Sequence, residues 1–318
     1  MFSVVIPTWN RKQDLSEAVG SVLKQKGVEL EVIVIDNGSE DGTRAYCQAL
    51  AARDPRFRYF RFETNKGITI AENKGLSEAQ GDIIFCLDDD ELIEEDDLLQ
   101  KVEQLGRSRD WDILNIGISN LHTGRWEHFI FSQRRKANLH RSFYVSNFGN
   151  GTVFIKKTVI QKIGLFEEIY FRQAHENEYA IRAILSGFKI LYYPALVLRH
   201  KTNPFRPGDR KVAYYMLRNT LLKNYKYFSS GRLLLLQSWQ IAQFFVRMLK
   251  GKITLSLMVK ALRDYKSMRR NTTRMLDYEP AAMERYFFVS RKVATTPEAI
   301  GRLGFFQYYV RGITRFLP

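Results

Sequence analysis

The sequence predicts an α/β fold built on a mostly parallel sheet, and three observations carry the prediction. Short, continuously apolar runs recur at Phe2–Pro7, Glu31–Asp36, Arg58–Phe62 and Asp82–Leu87. Segments with helical spacing lie between them, at Leu15–Lys26, Gly42–Ala52 and Ile68–Ala79. Polar and acidic residues stand directly after the first, second and fourth runs. A strand that is apolar along its whole length is buried on both faces, which alternating βαβ units achieve. Such a sheet offers its ligand site at the carboxyl ends of its strands.

The first run begins at Met1-Phe2-Ser3 and has neither a basic leader nor a small-residue cleavage site. It therefore reads as a strand and not a secretory signal, so the core domain is expected to be cytosolic. It ends in Pro7-Thr8-Trp9-Asn10-Arg11, the second run in Asp36-Asn37-Gly38-Ser39, and the fourth in Asp88-Asp89-Asp90-Glu91. Glu94–Asp97 read as first-turn acids of the following helix. Alternation from Trp111 to Ser146, including Trp126–Phe131, predicts mixed or antiparallel strands. A helix is expected over Glu176–Ser186 with Gly187 as its stop, followed by strands at Lys189–Tyr192 and Ala195–Arg199.

Asn203-Pro204-Phe205-Arg206-Pro207-Gly208 reads as a hinge that divides residues 1–204 from a helical extension, 205–318. On a helical wheel of Leu233–Lys250, Gln240, Gln243, Arg247 and Lys250 gather on one side. Leu234, Ile241, Phe244, Phe245 and Met248 cover a broad opposite face. Polar residues interrupt the segment too often for a transmembrane span.

The 318 residues are 45% hydrophobic and 13% aromatic, enough for a sizeable core. The two cysteines, Cys47 and Cys86, sit in apolar surroundings and suggest neither a disulfide framework nor a zinc site. Charge divides the chain. Residues 1–198 hold 25 Lys/Arg against 28 Asp/Glu, and residues 199–318 hold 24 against 6. Two surfaces with different partners are expected, the basic one facing anionic lipid, nucleic acid or phosphorylated substrate. Nucleic acid is disfavoured because no recognisable binding motif accompanies the interleaved Tyr214, Tyr215, Tyr225, Lys226 and Tyr227.

The candidate chemistry sits at the strand ends. Three adjacent carboxylates, Asp88, Asp89 and Asp90, repel one another unless a cation neutralises them. A hard divalent ion with open positions can bridge such groups to a diphosphate. Asp36 can accept hydrogen bonds from a base or ribose, or simply cap a turn. Glu176 opens a helix, where a carboxylate serves either the dipole or as a general base. His200, alone after its strand, says little by spacing. Pro7-Thr8-Trp9-Asn10 is not a Gly-rich phosphate loop, which disfavours a nucleotidyltransferase or a dehydrogenase.

Taken in order, these motifs resemble the family 2 glycosyltransferases, which have the GT-A fold, over about the first 200 residues. The resemblance rests on Val4–Arg11, on Val32–Ile35 with Asp36-Asn37-Gly38-Ser39 and Asp41-Gly42-Thr43, and on Asn65-Lys66-Gly67. It continues through Ala71-Glu72-Asn73-Lys74-Gly75, Ala79-Gln80-Gly81-Asp82 and Leu87-Asp88-Asp89-Asp90. Gly164–Glu168 and His175-Glu176-Asn177-Glu178-Tyr179 with Arg182 and Gly187 resemble the block that carries the catalytic base. Glu176 falls where relatives usually have Asp, and His175 where they usually have Glu.

The resemblance implies an inverting transfer of a sugar from a nucleotide-diphosphate donor to a glycan or lipid-linked acceptor, with Mn²⁺ or Mg²⁺. It implies Glu176 as base, Asp90, Asp88 and His200 at the metal, and Pro7, Thr8, Arg11, Asp36, Asn73, Asp88 and Asp89 around the nucleotide sugar. The nucleotide-sugar half is then about 1–110 and the acceptor half about 111–204. Bacterial surface polysaccharide assembly is the expected setting. The basic extension is expected to dock on the inner face of the cell membrane or to form an oligomer interface.

Overall fold

The computed structural model describes residues 1–127, 140–149, 151–201, 210–284 and 286. The expected strand Trp126–Phe131 falls mostly outside these residues, and the expected hinge and the 204/205 boundary fall wholly outside them. So does the end of the extension beyond Tyr286.

The first half follows the predicted alternation. Strands β1 (Phe2–Thr8), β2 (Leu30–Asp36), β3 (Phe57–Arg61) and β4 (Ile83–Cys86) alternate with helices α1 (Lys12–Leu23), α2 (Thr43–Ala51) and α3 (Ile68–Glu78). β1 pairs in parallel with β2 and β4, and β2 with β3. Every residue of β1 and β2 is buried, as a two-sided parallel sheet requires. α3 lies close on β1: a Cβ added to Gly75 would sit 2.1 Å from Val5 Cγ1, so only glycine fits there.

The second half extends the same sheet. It contributes β5 (Glu91–Leu92), α4 (Leu98–Ser108), β6 (Ile113–Asn120), β7 (Phe143–Tyr144), β8 (Val153–Lys156), α5 (Lys157–Ile163), α6 (His175–Leu185) and β9 (Ile190–His200). Among the described residues the sheet has nine strands, ordered β3-β2-β1-β4-β8-β6-β9-β5, with β7 paired to β9. β8 is antiparallel to both neighbours and β6 parallel to β9, so the expected mixed sheet is found. One hydrophobic cluster fills each face of the sheet, one including Val4, Phe85 and Phe154, the other Val5, Ile84 and Ile155.

Two expectations are corrected here. Lys189–Tyr192 and Ala195–Arg199 are one strand, β9, with a register shift opposite Ile116 and Gly117. Pro194 has no N–H to give the ladder, so the strand bulges there and continues. Glu94–Asp97 precede α4 instead of forming its first turn; Asp97 is the N-cap position and makes no side-chain cap.

The extension is helical: α7 (Arg210–Tyr227), α8 (Ser230–Leu249) and α9 (Leu255–Met268). α7 shares its apolar surface with the sheet domain. Tyr170 packs with Tyr214, Leu217 and Leu221, and Ile181 of α6 packs with Tyr227 and Phe228. α8 buries only Phe244, while Leu234 and Phe245 of its expected apolar face are 69% and 50% exposed. No described helix is long and apolar enough to cross a membrane.

Candidate active site

Because β1, β2, β4 and β9 run in the same direction, their carboxyl ends meet along one edge. Thr8 closes β1 level with Asp36 at the end of β2, and Pro7 lies buried one residue earlier opposite Ile35. Asp36 is fully buried and its carboxylate is crowded with donors. It accepts from the Ser39 amide at 2.7 Å, the Tyr59 hydroxyl at 2.7 Å and the Arg61 guanidinium at 2.7 Å.

The three aspartates after β4 do not act alike. The Thr8 hydroxyl donates to Asp89 Oδ2 at 2.7 Å, and Arg11 Nη1 donates to Asp89 Oδ1 at 3.1 Å and Asp90 Oδ2 at 2.5 Å. Arg11 is thus an internal counter-ion to both Asp89 and Asp90. Asp90 is shared. Its Oδ1 lies 3.5 Å from His200 Nε2, and His200 Nδ1 lies 2.5 Å from Glu127 Oε2. Asp88 is held deeper, its backbone amide facing Glu91 Oε2 at 3.4 Å.

The electrostatics follow from these neighbours. Burial raises the Asp88 carboxyl to about 8, helped by the charges of Asp90, Glu72 and Asp89. Burial raises Asp89 to about 6 against the pull of Arg11 and Thr8. For Asp90 burial also pushes upward, but His200 and Arg11 outweigh it and hold the group near 2. Burial would lower His200, yet Asp90 and Glu127 raise it to about 9. Glu91, buried under Gly151, is pushed well above the usual carboxylate range by burial and by Asp88 and Asp90. This excess of buried negative charge is what a divalent cation relieves.

A cation would find oxygen donors on Asp90 and Asp88 and an imidazole on His200, a set that suits Mn²⁺ or Mg²⁺. Among the described residues no three His, Cys, Asp or Glu groups already converge in ligand geometry.

A second charged group lies at the start of α6. His175 Nε2 is 2.9 Å from Glu72 Oε2 on α3, and His175 Nδ1 is 3.4 Å from Glu176 Oε2. Glu72 and His175 are buried, and the Glu176 side chain is 16% exposed. Burial would lower the His175 pKa, but Glu176 and Glu72 raise it to about 9. Glu176 is raised by burial, partly offset by His175.

Asn73, expected at the nucleotide, has its amide committed elsewhere. Nδ2 donates to the Phe166 carbonyl at 2.8 Å and Oδ1 accepts from the Phe166 amide at 2.9 Å. These two bonds brace α3 against the loop before α6 and use one N–H and one lone pair of the amide. Glu72 and Glu127 went unrecognised in the sequence. Glu72 stood inside the Ala71–Gly75 block, whose order was its signal; Glu127 carried none.

The profile of "Glycosyl transferase family 2" matches residues 3–170, which contain the ends of β1, β2 and β4 and Glu72. The chain belongs to glycosyl transferase family 2. Similar proteins include glycosyltransferase GlyG of Streptococcus pneumoniae, 32% identical over 36% of this chain and 38% of the relative. The putative teichuronic acid biosynthesis glycosyltransferase TuaG of Bacillus subtilis is 35% identical over 32% of this chain and 41% of its own length. A GalNAc(5)-diNAcBac-PP-undecaprenol β-1,3-glucosyltransferase of Campylobacter jejuni is 39% identical over 28% and 29%. The match thus spans about two fifths of these relatives or less. Among solved structures, Staphylococcus aureus TarS 1–349 superposes with a TM-score of 0.60 at 17% identity, covering 95% of this chain and 91% of TarS 1–349. The mannosyltransferase PcManGT of Pyrobaculum calidifontis, solved with GDP-Man and Mn²⁺, gives 0.55 at 16%, covering 99% and 86%. These neighbours share the fold, a mixed sheet flanked by helices.

Proposed function

We propose that this chain transfers a sugar from a nucleoside-diphosphate donor to a glycan or lipid-linked acceptor, with inversion at the anomeric carbon. The observation that carries the reading is the junction of Asp90 with His200 at one sheet edge, beside Arg11 and Asp36. Structural neighbours solved with UDP, UDP-GlcNAc and GDP-Man support a donor of that class. In this reading Asp36 and Arg61 mark the nucleoside end, and Thr8 and Arg11 steady the aspartates that face the diphosphate. A divalent cation bound there would neutralise the departing diphosphate. Asp90, Asp88 and His200 would hold it. Glu176 takes the proton of the acceptor hydroxyl as that oxygen bonds to the anomeric carbon, and the bond from carbon to the diphosphate oxygen breaks with its electron pair. His175, charged between Glu72 and Glu176, favours the ionised form of Glu176 against the effect of burial.

The test is release of nucleoside diphosphate from a panel of nucleotide sugars, with and without Mn²⁺ or Mg²⁺. Glu176→Gln is expected to bind donor and turn over at least ~100-fold more slowly. Full turnover in Asp90→Ala, or in the presence of chelator, overturns the metal's part. Relatives named for teichuronic acid and colanic acid biosynthesis support bacterial surface polysaccharide as the setting.

The extension's proposed partner is an anionic membrane surface on the cytoplasmic side. Residues 210–263 hold 11 Lys/Arg and no Asp or Glu. Around the α8–α9 corner Phe245, Val246, Leu249, Leu255 and Val259 are exposed among Arg247, Lys250 and Lys252. A second copy would bring like charge against like charge, whereas anionic headgroups accept both the charge and the apolar side chains.

A further inference from the structure

The turn that delivers His175 and Glu176 holds its backbone in an unfavourable conformation. Gln173 and Ala174 both have φ of +67°, a left-handed geometry that costs a residue bearing a Cβ roughly 1–2 kcal/mol. Two in succession persist only where the surroundings hold them. Ala174 is also the N-cap position of α6, and no side chain caps it.

The holding groups come from two sides. On the sheet-domain side the Ile68 amide donates to the Phe171 carbonyl at 3.2 Å, and the Thr69 hydroxyl donates to the Tyr170 carbonyl. On the other side stands Asn219, fully buried within α7. Its Nδ2 donates to the Arg172 carbonyl and to the Gln173 carbonyl, each at 2.7 Å. Arg218 Nε donates to Asn219 Oδ1 at 2.7 Å, which fixes the amide with both N–H groups toward the turn. A buried amide in a helix interior is costly unless its hydrogen bonds are all made, and here they are. Two turns further on, Lys226 and Tyr227 donate to Glu178 of α6, the residue that also pairs with Arg182.

We infer that Asn219 is a positioning residue for Glu176, and that the first helix of the basic extension is therefore part of the catalytic apparatus. The inference rests on the reading of Glu176 as the base. Asn219 acts through the Arg172–Ala174 turn: its two hydrogen bonds hold the carbonyls that set where α6 begins, and so where the Glu176 carboxylate sits relative to the acceptor. A loss of even an ångström of placement there is expected to cost rate and not donor binding.

The test compares Asn219→Ala, Asn219→Asp, Glu176→Gln and the double variant Asn219→Ala with Ala174→Gly in the full chain, reading kcat, donor KM and thermal midpoint. Asn219→Ala is expected to lower kcat at least ~10-fold at unchanged donor KM. Asn219→Asp, which turns an oxygen toward the two carbonyls, is expected to lose as much or more. Ala174→Gly adopts the left-handed conformation without strain, and is expected to restore part of kcat to Asn219→Ala, which a purely stabilising role for Asn219 would not produce. Wild-type kcat in Asn219→Ala while Glu176→Gln is inactive overturns the inference. A parallel fall of kcat, donor affinity and thermal midpoint without rescue by Ala174→Gly overturns it as well. Retained turnover in Glu176→Gln instead overturns the base assignment, and the inference with it. If Asn219→Ala does not fold, Asn219→Ser, which keeps one donor, must show the same loss of kcat at constant donor KM.

Discussion

The His175 imidazole lies 2.9 Å from the Glu72 carboxylate, joining the start of α6 to the middle of α3 across the buried side of the active-site edge. The pair is 103 residues apart in sequence and almost wholly excluded from water. Removing one partner of such a pair leaves a buried charge uncompensated, which costs about 3–5 kcal/mol. Glu72→Gln is therefore expected to destabilise on that scale in chemical denaturation, and Glu72→Gln combined with His175→Gln to recover most of the loss. Equal stability of the single variant and the wild type would show the pair to be energetically idle.

The same pair predicts a pH dependence with a definite sign. The folded pKa of His175, about 9, lies above its ordinary value of 6.5. The folded state therefore holds a proton that the unfolded chain releases, and the group's contribution is complete below pH 6.5 and lost as pH rises through 9. Its size is on the order of 3 kcal/mol. Unfolding free energy measured between pH 6 and pH 10 should fall by that order in the wild type and much less in His175→Gln. On the acid side, His175→Gln should move the loss of turnover to higher pH, because Glu176 then lacks the charge that favours its ionised form.

Metal binding is expected to register as stability. A cation held by Asp90, Asp88 and His200 binds the folded chain alone, and at ~100 times its Kd stabilises by about 2.7 kcal/mol. Mn²⁺ should raise the thermal midpoint of the wild type, more so with a nucleoside diphosphate present, and leave Asp90→Ala and His200→Ala unmoved. Asp89→Asn, whose carboxylate already has Arg11, should keep much of the Mn²⁺ response. Loss of that response in Asp89→Asn equal to the loss in Asp90→Ala would refute the division of the trio.

Asn73 offers a direct contest between two roles. With both amide atoms on the Phe166 backbone, Asn73→Ala exposes a buried amide and carbonyl to nothing, at about 1–3 kcal/mol. The thermal midpoint should drop and donor KM should hold. A raised donor KM at unchanged stability would return Asn73 to the nucleotide.

Membrane docking is tested by vesicle flotation. Binding should need anionic lipid and weaken with salt, since each surface Lys or Arg contributes about 1 kcal/mol. Replacing Arg247, Lys250 and Lys252 by Glu should abolish it while leaving turnover of a soluble acceptor intact. Flotation on neutral vesicles alone, or concentration-dependent self-association in place of flotation, would replace the membrane by an apolar or a protein partner.

The parallel half of the fold was legible in the sequence because its cause is local. Runs such as Val4–Ile6 and Val32–Ile35 are apolar along every residue, and that pattern has few structural meanings besides a strand buried on both faces. The strand ends, and with them Asp36, Asp88, Asp89 and Asp90, followed from that pattern, whereas His200 came only from the family resemblance. What the chain does with those residues was settled in three dimensions. Arg11 claims Asp89, His200 meets Asp90, Glu127 meets His200, and Asn73 turns to Phe166. Charge pairing acts over a few ångströms of space and is indifferent to the 110 residues between Asp90 and His200. The extension shows the same divide. Its helices and its charge were visible in composition, but the hydrogen bonds of Asn219 to Arg172 and Gln173 exist only because folding sets α7 against a turn that the backbone does not favour by itself.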